Sequence, residues 1–183
     1  SSDLAIVGRT IRLLKECGIN DNDIIITSND DRYMQFGLQV WKHRNSYIAN
    51  GLEDIQGYWF DAFYPTSMQV CYLMGDVIYS RCAIKTIIET DTNDIELFAS
   101  APPFPENYCK GHAEPFALKV VNQKHFRRAL DTARVYAERG LFARKPIMWE
   151  LWQVIKNTPL NEIDFTNYTV INDYTCDIDN PED

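Results

Sequence analysis

Apolar residues at Leu4, Ile6, Val7, Ile11, Leu14 and Cys17 recur at helical spacing, with Arg9, Arg12, Lys15 and Glu16 largely opposite. Gly18 follows, where a left-handed residue would close a helix. A short polar turn leads to Asp23-Ile-Ile-Ile-Thr27, a β-branched run expected for a strand buried on both faces. The same phrase recurs downstream. Met68 to Met74 reads as a buried strand ending at Gly75-Asp76, Ala83 to Ile88 as a short helix, and Ile95 to Ala99 as another strand. Glu114 to Val121 is extended, and Asn122 caps a helix with Phe126, Ala129, Leu130, Ala133, Tyr136 and Ala137 on one face; Gly140 ends it. Pro146 is expected to open a further helix carrying Ile147, Met148, Leu151, Trp152 and Ile155. A last strand, Tyr168 to Ile171, runs into an acidic tail. Only the stretch from Arg32 to Phe63 resists such a reading, being polar, aromatic and rich in turn residues.

Alternating strands and helices predict an α/β fold of one domain over residues 1–183, with a mostly parallel, mixed central sheet and helices on both faces. A chain of 183 residues is long enough for one sizeable core. Its 45% hydrophobic and 24% charged residues are ordinary for a globular protein. Eighteen basic against 26 acidic residues give a net charge of −8, which argues against nucleic acid as the main partner. Arg127-Arg128 remains a local basic pair able to meet one phosphate. The five cysteines form no C-x-x-C pair, and three dispersed histidines suggest no zinc site. With no long apolar run and no signal-like start, a reduced, cytoplasmic setting without membrane insertion is expected.

In open α/β sheets, ligands gather at the carboxyl ends of strands. Asp76 stands at such an end, behind a glycine that would let the backbone turn; Gly-Asp is also an ordinary turn pair. Asp177 and Asp179 alternate around Ile178 beyond the last strand and would share a face if extended. They also read as a solvated tail, or, for Asp179 or Asn180, as the cap of a helix opening at Pro181. Magnesium needs only one or two protein carboxylates, with water and phosphate oxygens completing its octahedron.

The order of elements resembles the nucleotidyltransferase branch of the GT-A (nucleotide-diphospho-sugar transferase) superfamily, a Rossmann-like fold. Gly8 to Ile19 followed by Asp23 to Thr27 is similar to the family's first full helix and second strand. Leu73-Met-Gly-Asp-Val77 resembles its strand ending in a metal-binding Asp. Glu114-Pro-Phe-Ala-Leu-Lys119, followed by Phe126 and its helix, resembles the strand lining the acceptor site. Asp177-Ile-Asp-Asn-Pro-Glu-Asp183 resembles the closing element that holds the second metal ligand. The resemblance implies Mg2+ at Asp76 and Asp179, with Asp177 the alternative second ligand. It places Glu114 and Lys119 on the acceptor side, and, more remotely, Ile171-Asn172-Asp173 and Arg144-Lys145 nearby. Glu114 and Lys119 also read as a polar strand-edge residue and an exposed lysine.

The family normally begins with a strand and a G-x-G-x-R loop that wraps the nucleotide phosphates. Here Ser1-Ser-Asp-Leu4 enters directly into the helix that should follow that loop. The expectation is that a leading segment belongs ahead of Ser1; the alternative is a protein without that cradle. The implied activity joins an NTP to a phosphorylated acceptor, a sugar 1-phosphate or phospho-alcohol, and releases pyrophosphate. Asp76 and Lys119 are then the catalytic candidates. A GT-A glycosyltransferase is a second reading, although Gly75-Asp76-Val77 lacks the usual Asp-x-Asp. A non-catalytic nucleotide or sugar-phosphate binding domain or subunit is a third, with Trp41, Tyr47, Tyr58, Trp59, Phe60, Phe63 and Tyr64 as a partner surface, core or sugar pocket. The sequence leaves the NTP, the acceptor and the oligomeric state open, a homo-oligomer included.

Overall fold

The computed structural model describes residues 2–42, 57–104 and 111–178. Helix α1 (Ser2–Glu16) ends as its spacing predicts, with Gly18 at φ +88° and the Ile19 amide returning to Leu14 O at 3.0 Å. Strand β1 (Ile25–Thr27) pairs in parallel with β2 (Gln39–Trp41), which lies inside the stretch that sequence patterning left unread. Strand β3 (Val70–Leu73) follows, then the two-residue β4 (Val77–Ile78) and helix α2 (Arg81–Glu89). Strands β5 (Ile95–Ser100) and β6 (Pro115–Val120) lead to α3 (Gln123–Glu138), α4 (Met148–Lys156), β7 (Thr169–Ile171) and β8 (Cys176–Asp177).

The fold is α/β with mixed sheets. The largest sheet has the order β3-β6-β5-β7; β6 is antiparallel to both neighbours, and β5 and β7 are parallel. The expected predominance of parallel pairing is therefore not met: among the described strands β1–β2 and β5–β7 are parallel, and the other three pairs are antiparallel. Strand β6 runs back along β5, with Ile95 opposite Val120 and Phe98 opposite Ala117.

Strand alternation sends Leu97, Leu118 and Val120 to one layer, with Phe60, Phe126, Leu130, Trp149 and Trp152, and Phe98 and Ala117 to the other, with Tyr79, Ile84 and Ile87; Phe116, at the register shift between β5 and β6, joins this second layer. Helices α3 and α4 cover the first face, α2 and part of α1 the second. Helix α4 begins at Met148, two residues after Pro146, and Ile147, just ahead of it, is 37% exposed rather than on its buried face. The helix is buried almost all round, so its polar groups need partners. Trp149 Nε1 donates to Ala113 O at 3.2 Å, Trp152 Nε1 to Thr166 O at 3.1 Å, and Glu150 accepts from Arg144 Nε at 2.6 Å.

Strand β1 is not buried on both faces. Ile24 is buried, but Ile25 is 38% exposed, and all four residues of β3 are only half-buried. Both strands lie beside the same cavity.

Candidate functional site

The amino end of α2 fixes the geometry of the sheet's end. Ser80 caps the helix, accepting from the Ala83 amide at 2.8 Å, while its hydroxyl donates to Asp173 Oδ2. The Ser80 amide donates to Thr175 Oγ1 at 3.0 Å and the Thr175 amide to Asp173 Oδ1 at 2.8 Å. This knot ties the segment after β7 to the start of α2 and carries β8 against β4. Partial burial opposes ionisation of Asp173, but the hydrogen bonds from Ser80 and Thr175 outweigh it and hold the carboxyl below its usual range. Asp173, expected near an acceptor, is thus a structural clamp.

The knot brings the carboxylates together. Asp177 pairs with Val77, and the Ile178 amide donates to Asp76 O at 3.1 Å. Asp76 therefore lies opposite Ile178, with Asp177 beside it in sequence on the facing strand. Asp179, the other expected ligand, lies outside the described residues. The Asp76 residue is exposed, whereas Asp177 Oδ1 is buried. Both act on Tyr79, whose fully buried hydroxyl has the Phe116 and Met74 carbonyls as acceptors for its single proton. Burial pushes its ionisation well up; the Met74 bond opposes this, and the charges of Asp76 and Asp177 both add to it. Arg9 of α1 donates through Nη1 to Tyr79 O. Tyr33 is raised first by burial and then by Asp3 and Asp30, with Arg32 opposing and Asp76 adding.

Gly75 is not in the left-handed region, and a Cβ there would meet Val7 Cγ2 at an ordinary 3.9 Å. The turn before Asp76 does not depend on glycine as expected.

Glu114 shares this end of the sheet. Its amide donates to Ser100 Oγ and its carbonyl accepts from the Ser100 amide, both at 2.9 Å, and Met74 N bonds Phe116 O two residues further on. Lys119 does not share it. It pairs with Cys71, five positions before Asp76, roughly 16 Å of strand away. Expected as an exposed lysine or an acceptor-phosphate ligand, Lys119 is 4% exposed, and its ammonium donates at 2.6 Å to Ile88 O and to Thr90 O at the carboxyl end of α2. It caps a helix whose last carbonyls have no other intrahelical partner.

The remaining candidates are likewise accounted for. Arg144 holds the buried Glu150, Lys145 is exposed, and Arg127 donates to Thr66 O at 2.9 Å. Of the aromatic group, Phe60 and Phe63 are core, Trp41 and Tyr64 meet edge to face at 5.6 Å beside the cavity, and Tyr47 lies outside the described residues. Sequence reading missed Tyr79, Arg9 and the Ser80 knot. Only Ser80 carried a usable signal, a serine directly before a helical run.

Among the described residues, no group of three or more His, Cys, Asp or Glu side chains could hold a metal ion, and no helix is long and apolar enough to cross a membrane. No family model, curated protein or solved structure matches the chain.

Proposed function

We propose that the chain is a Mg2+-dependent nucleotidyltransferase that joins an NTP to a phosphorylated acceptor and releases pyrophosphate. The observation that supports this reading best is the backbone bond from Ile178 to Asp76 O, which draws Asp177 from the far end of the chain to a carboxylate at a strand's carboxyl end. The charges of both carboxylates act on the same buried Tyr79, and a divalent cation is the kind of group that two such neighbouring charges would favour. That donor set fits Mg2+, which takes one or two carboxylates and fills its remaining positions with water and phosphate oxygens. A bound Mg2+ would supply charge neutralisation at the phosphate under attack.

The chain's own residues then have distinct tasks. Asp76, exposed, reaches toward the nucleotide side, and Asp177, partly buried, is fixed by β8. Tyr79 and Arg9 tie the β4 segment to β6 and α1, which sets the position of Asp76. Glu114, at the same end of the sheet, is assigned to the acceptor side. Lys119 is left to hold α2.

The test is pyrophosphate release with each of the four NTPs, Mg2+, and sugar 1-phosphate or phospho-alcohol acceptors. Turnover is expected with one pairing, and Asp76→Asn should lower it on the order of 100-fold or more, as loss of a main charge-stabilising contact does. Equal turnover in that variant would remove the assignment. Release of nucleoside diphosphate from a nucleotide sugar would favour a glycosyltransferase, and tight nucleotide binding without turnover a non-catalytic domain.

A further inference from the structure

Two residues before Glu114, His112 is held in one orientation by the core beneath it. Its Nδ1 lies 3.0 Å from Ala113 O. A carbonyl only accepts, so Nδ1 carries a proton, and in the neutral ring the lone pair is at Nε2. The same carbonyl accepts from the fully buried Trp149 through Nε1 at 3.2 Å. The imidazole lies flat on Phe165, with ring centroids 4.2 Å apart and planes 8° from parallel. Phe165 in turn meets Trp149 edge to face at 5.2 Å. A backbone carbonyl and an aromatic face thus fix the ring, which leaves little side-chain freedom to lose on binding a ligand. His112 is half-buried, and its Nε2 has no hydrogen-bond partner among the described residues.

The ring stands at the end of the sheet that carries Asp76. Glu114 is bonded to Ser100 at the end of β5, and Met74, two residues before Asp76, bonds Phe116 O. His112 lies beyond Glu114 in the same direction, at most about 7 Å further along the chain. The basic groups expected at an acceptor are engaged elsewhere: Lys119 holds the end of α2, and Arg144 holds Glu150. A phosphate monoester suits an imidazole. Its second ionisation, at about pH 6, lies close to that of an ordinary imidazole, about 6.5, so the two readily share one proton between oxygen and nitrogen. As the ring takes that proton, the face of Phe165 beneath it attracts the imidazolium.

We propose, on the footing of the nucleotidyltransferase reading, that His112 binds the phosphate of the acceptor. Nε2–H donates to an oxygen of the phosphate monoester while Nδ1–H stays on Ala113 O. The role is one of binding and selection: an acceptor with a phosphate gains a charge-assisted bond to a preset donor, and the same sugar or alcohol without its phosphate does not. His112 thus takes the part for which Lys119 is too distant.

The experiment follows the three imidazoles of the full chain by NMR as inorganic phosphate or glucose 1-phosphate is added, with chloride as the control for ionic strength. Both phosphates should move the His112 Cε1–H signal to saturation, and chloride should not. His125, which already bonds Asp94 through Nδ1, should stay where it is. His112→Phe keeps a flat ring on Phe165 and gives up the bond to Ala113 O, so its melting temperature should stay within about 4 °C of the parent. Its KM for the phosphorylated acceptor should rise at least about tenfold, as for a lost bond to a charged group, with the KM for NTP unchanged. His112→Gln, which retains an N–H donor, should recover part of that loss. A His112 signal that phosphate leaves unmoved would overturn the proposal. So would a Phe variant that keeps the parent's acceptor KM or raises both KM values alike. A parent whose His112 signal responds to phosphate but which releases no pyrophosphate would uphold the phosphate site and count against the nucleotidyltransferase reading alone.

Discussion

Replacing Lys119 with methionine separates a structural lysine from one that acts on a substrate. The ammonium is almost fully buried and holds Ile88 O and Thr90 O at 2.6 Å each. Methionine keeps most of the stem's volume but leaves both carbonyls without that donor. Hydrogen bonds from a charged donor contribute about 1.5–3 kcal/mol each, and a cation at a helix carboxyl end adds up to about 2 kcal/mol. Against this stands the cost of keeping an ammonium out of water, several kcal/mol, which methionine does not incur. The difference leaves a net loss of about 2 kcal/mol, since freed carbonyls at the end of α2 recover part of their bonding from water. For a chain of this size that is a fall of roughly 4–8 °C in melting temperature. Thermal melts followed by circular dichroism measure it directly. Because Lys119 sits at the opposite end of β3 from Asp76, pyrophosphate release per folded molecule should be unchanged. A melting temperature within about 1 °C of the parent would refute the capping role; lost turnover at unchanged stability would return Lys119 to the site.

Two further outcomes follow from the sheet's end. Ser80→Ala removes a helix cap and one of the bonds to Asp173, and should cost about 1–2 kcal/mol at neutral pH. Because the folded Asp173 lies below its unfolded value of 3.8, its contribution is complete above that range and is lost as pH falls through the folded value. The difference in urea stability between parent and Ser80→Ala should therefore shrink below about pH 4, and a difference that grew with acid would contradict the sign. Asp76→Asn, an exposed change, should leave the melting temperature within about 2 °C of the parent while removing turnover.

Much of the fold was legible because amphipathic periods and caps are local. The stripe from Leu4 to Cys17, the Asn122 cap and the Gly18 and Gly140 stops all depend on residues within a few positions of one another. What was not legible depends on distant partners. β2 is only Gln39–Trp41, too short to show a period, and β8 is two residues inside an acidic stretch that reads as tail. The antiparallel pairing of β6 cannot be read from its own apolar run, since strands buried on both faces look alike in either direction. The candidate site divides in the same way. Asp76 was legible as a strand end and Asp177 as a nearby acid, but what draws them together is the Ser80–Asp173–Thr175 knot, made across more than ninety positions of sequence. Lys119 was misread because a lysine on a strand looks exposed unless the carboxyl end of α2 is known to lie over it.

The most direct test of the account is where a divalent cation binds. Mn2+ titrated into isotopically labelled protein should first broaden the amide signals of residues 75–79 and 176–178, and Asp76→Asn with Asp177→Asn should abolish that broadening while the rest of the spectrum keeps its dispersion. Broadening that begins elsewhere, or that survives both substitutions, would contradict the pairing of Asp76 with Asp177 as a metal site.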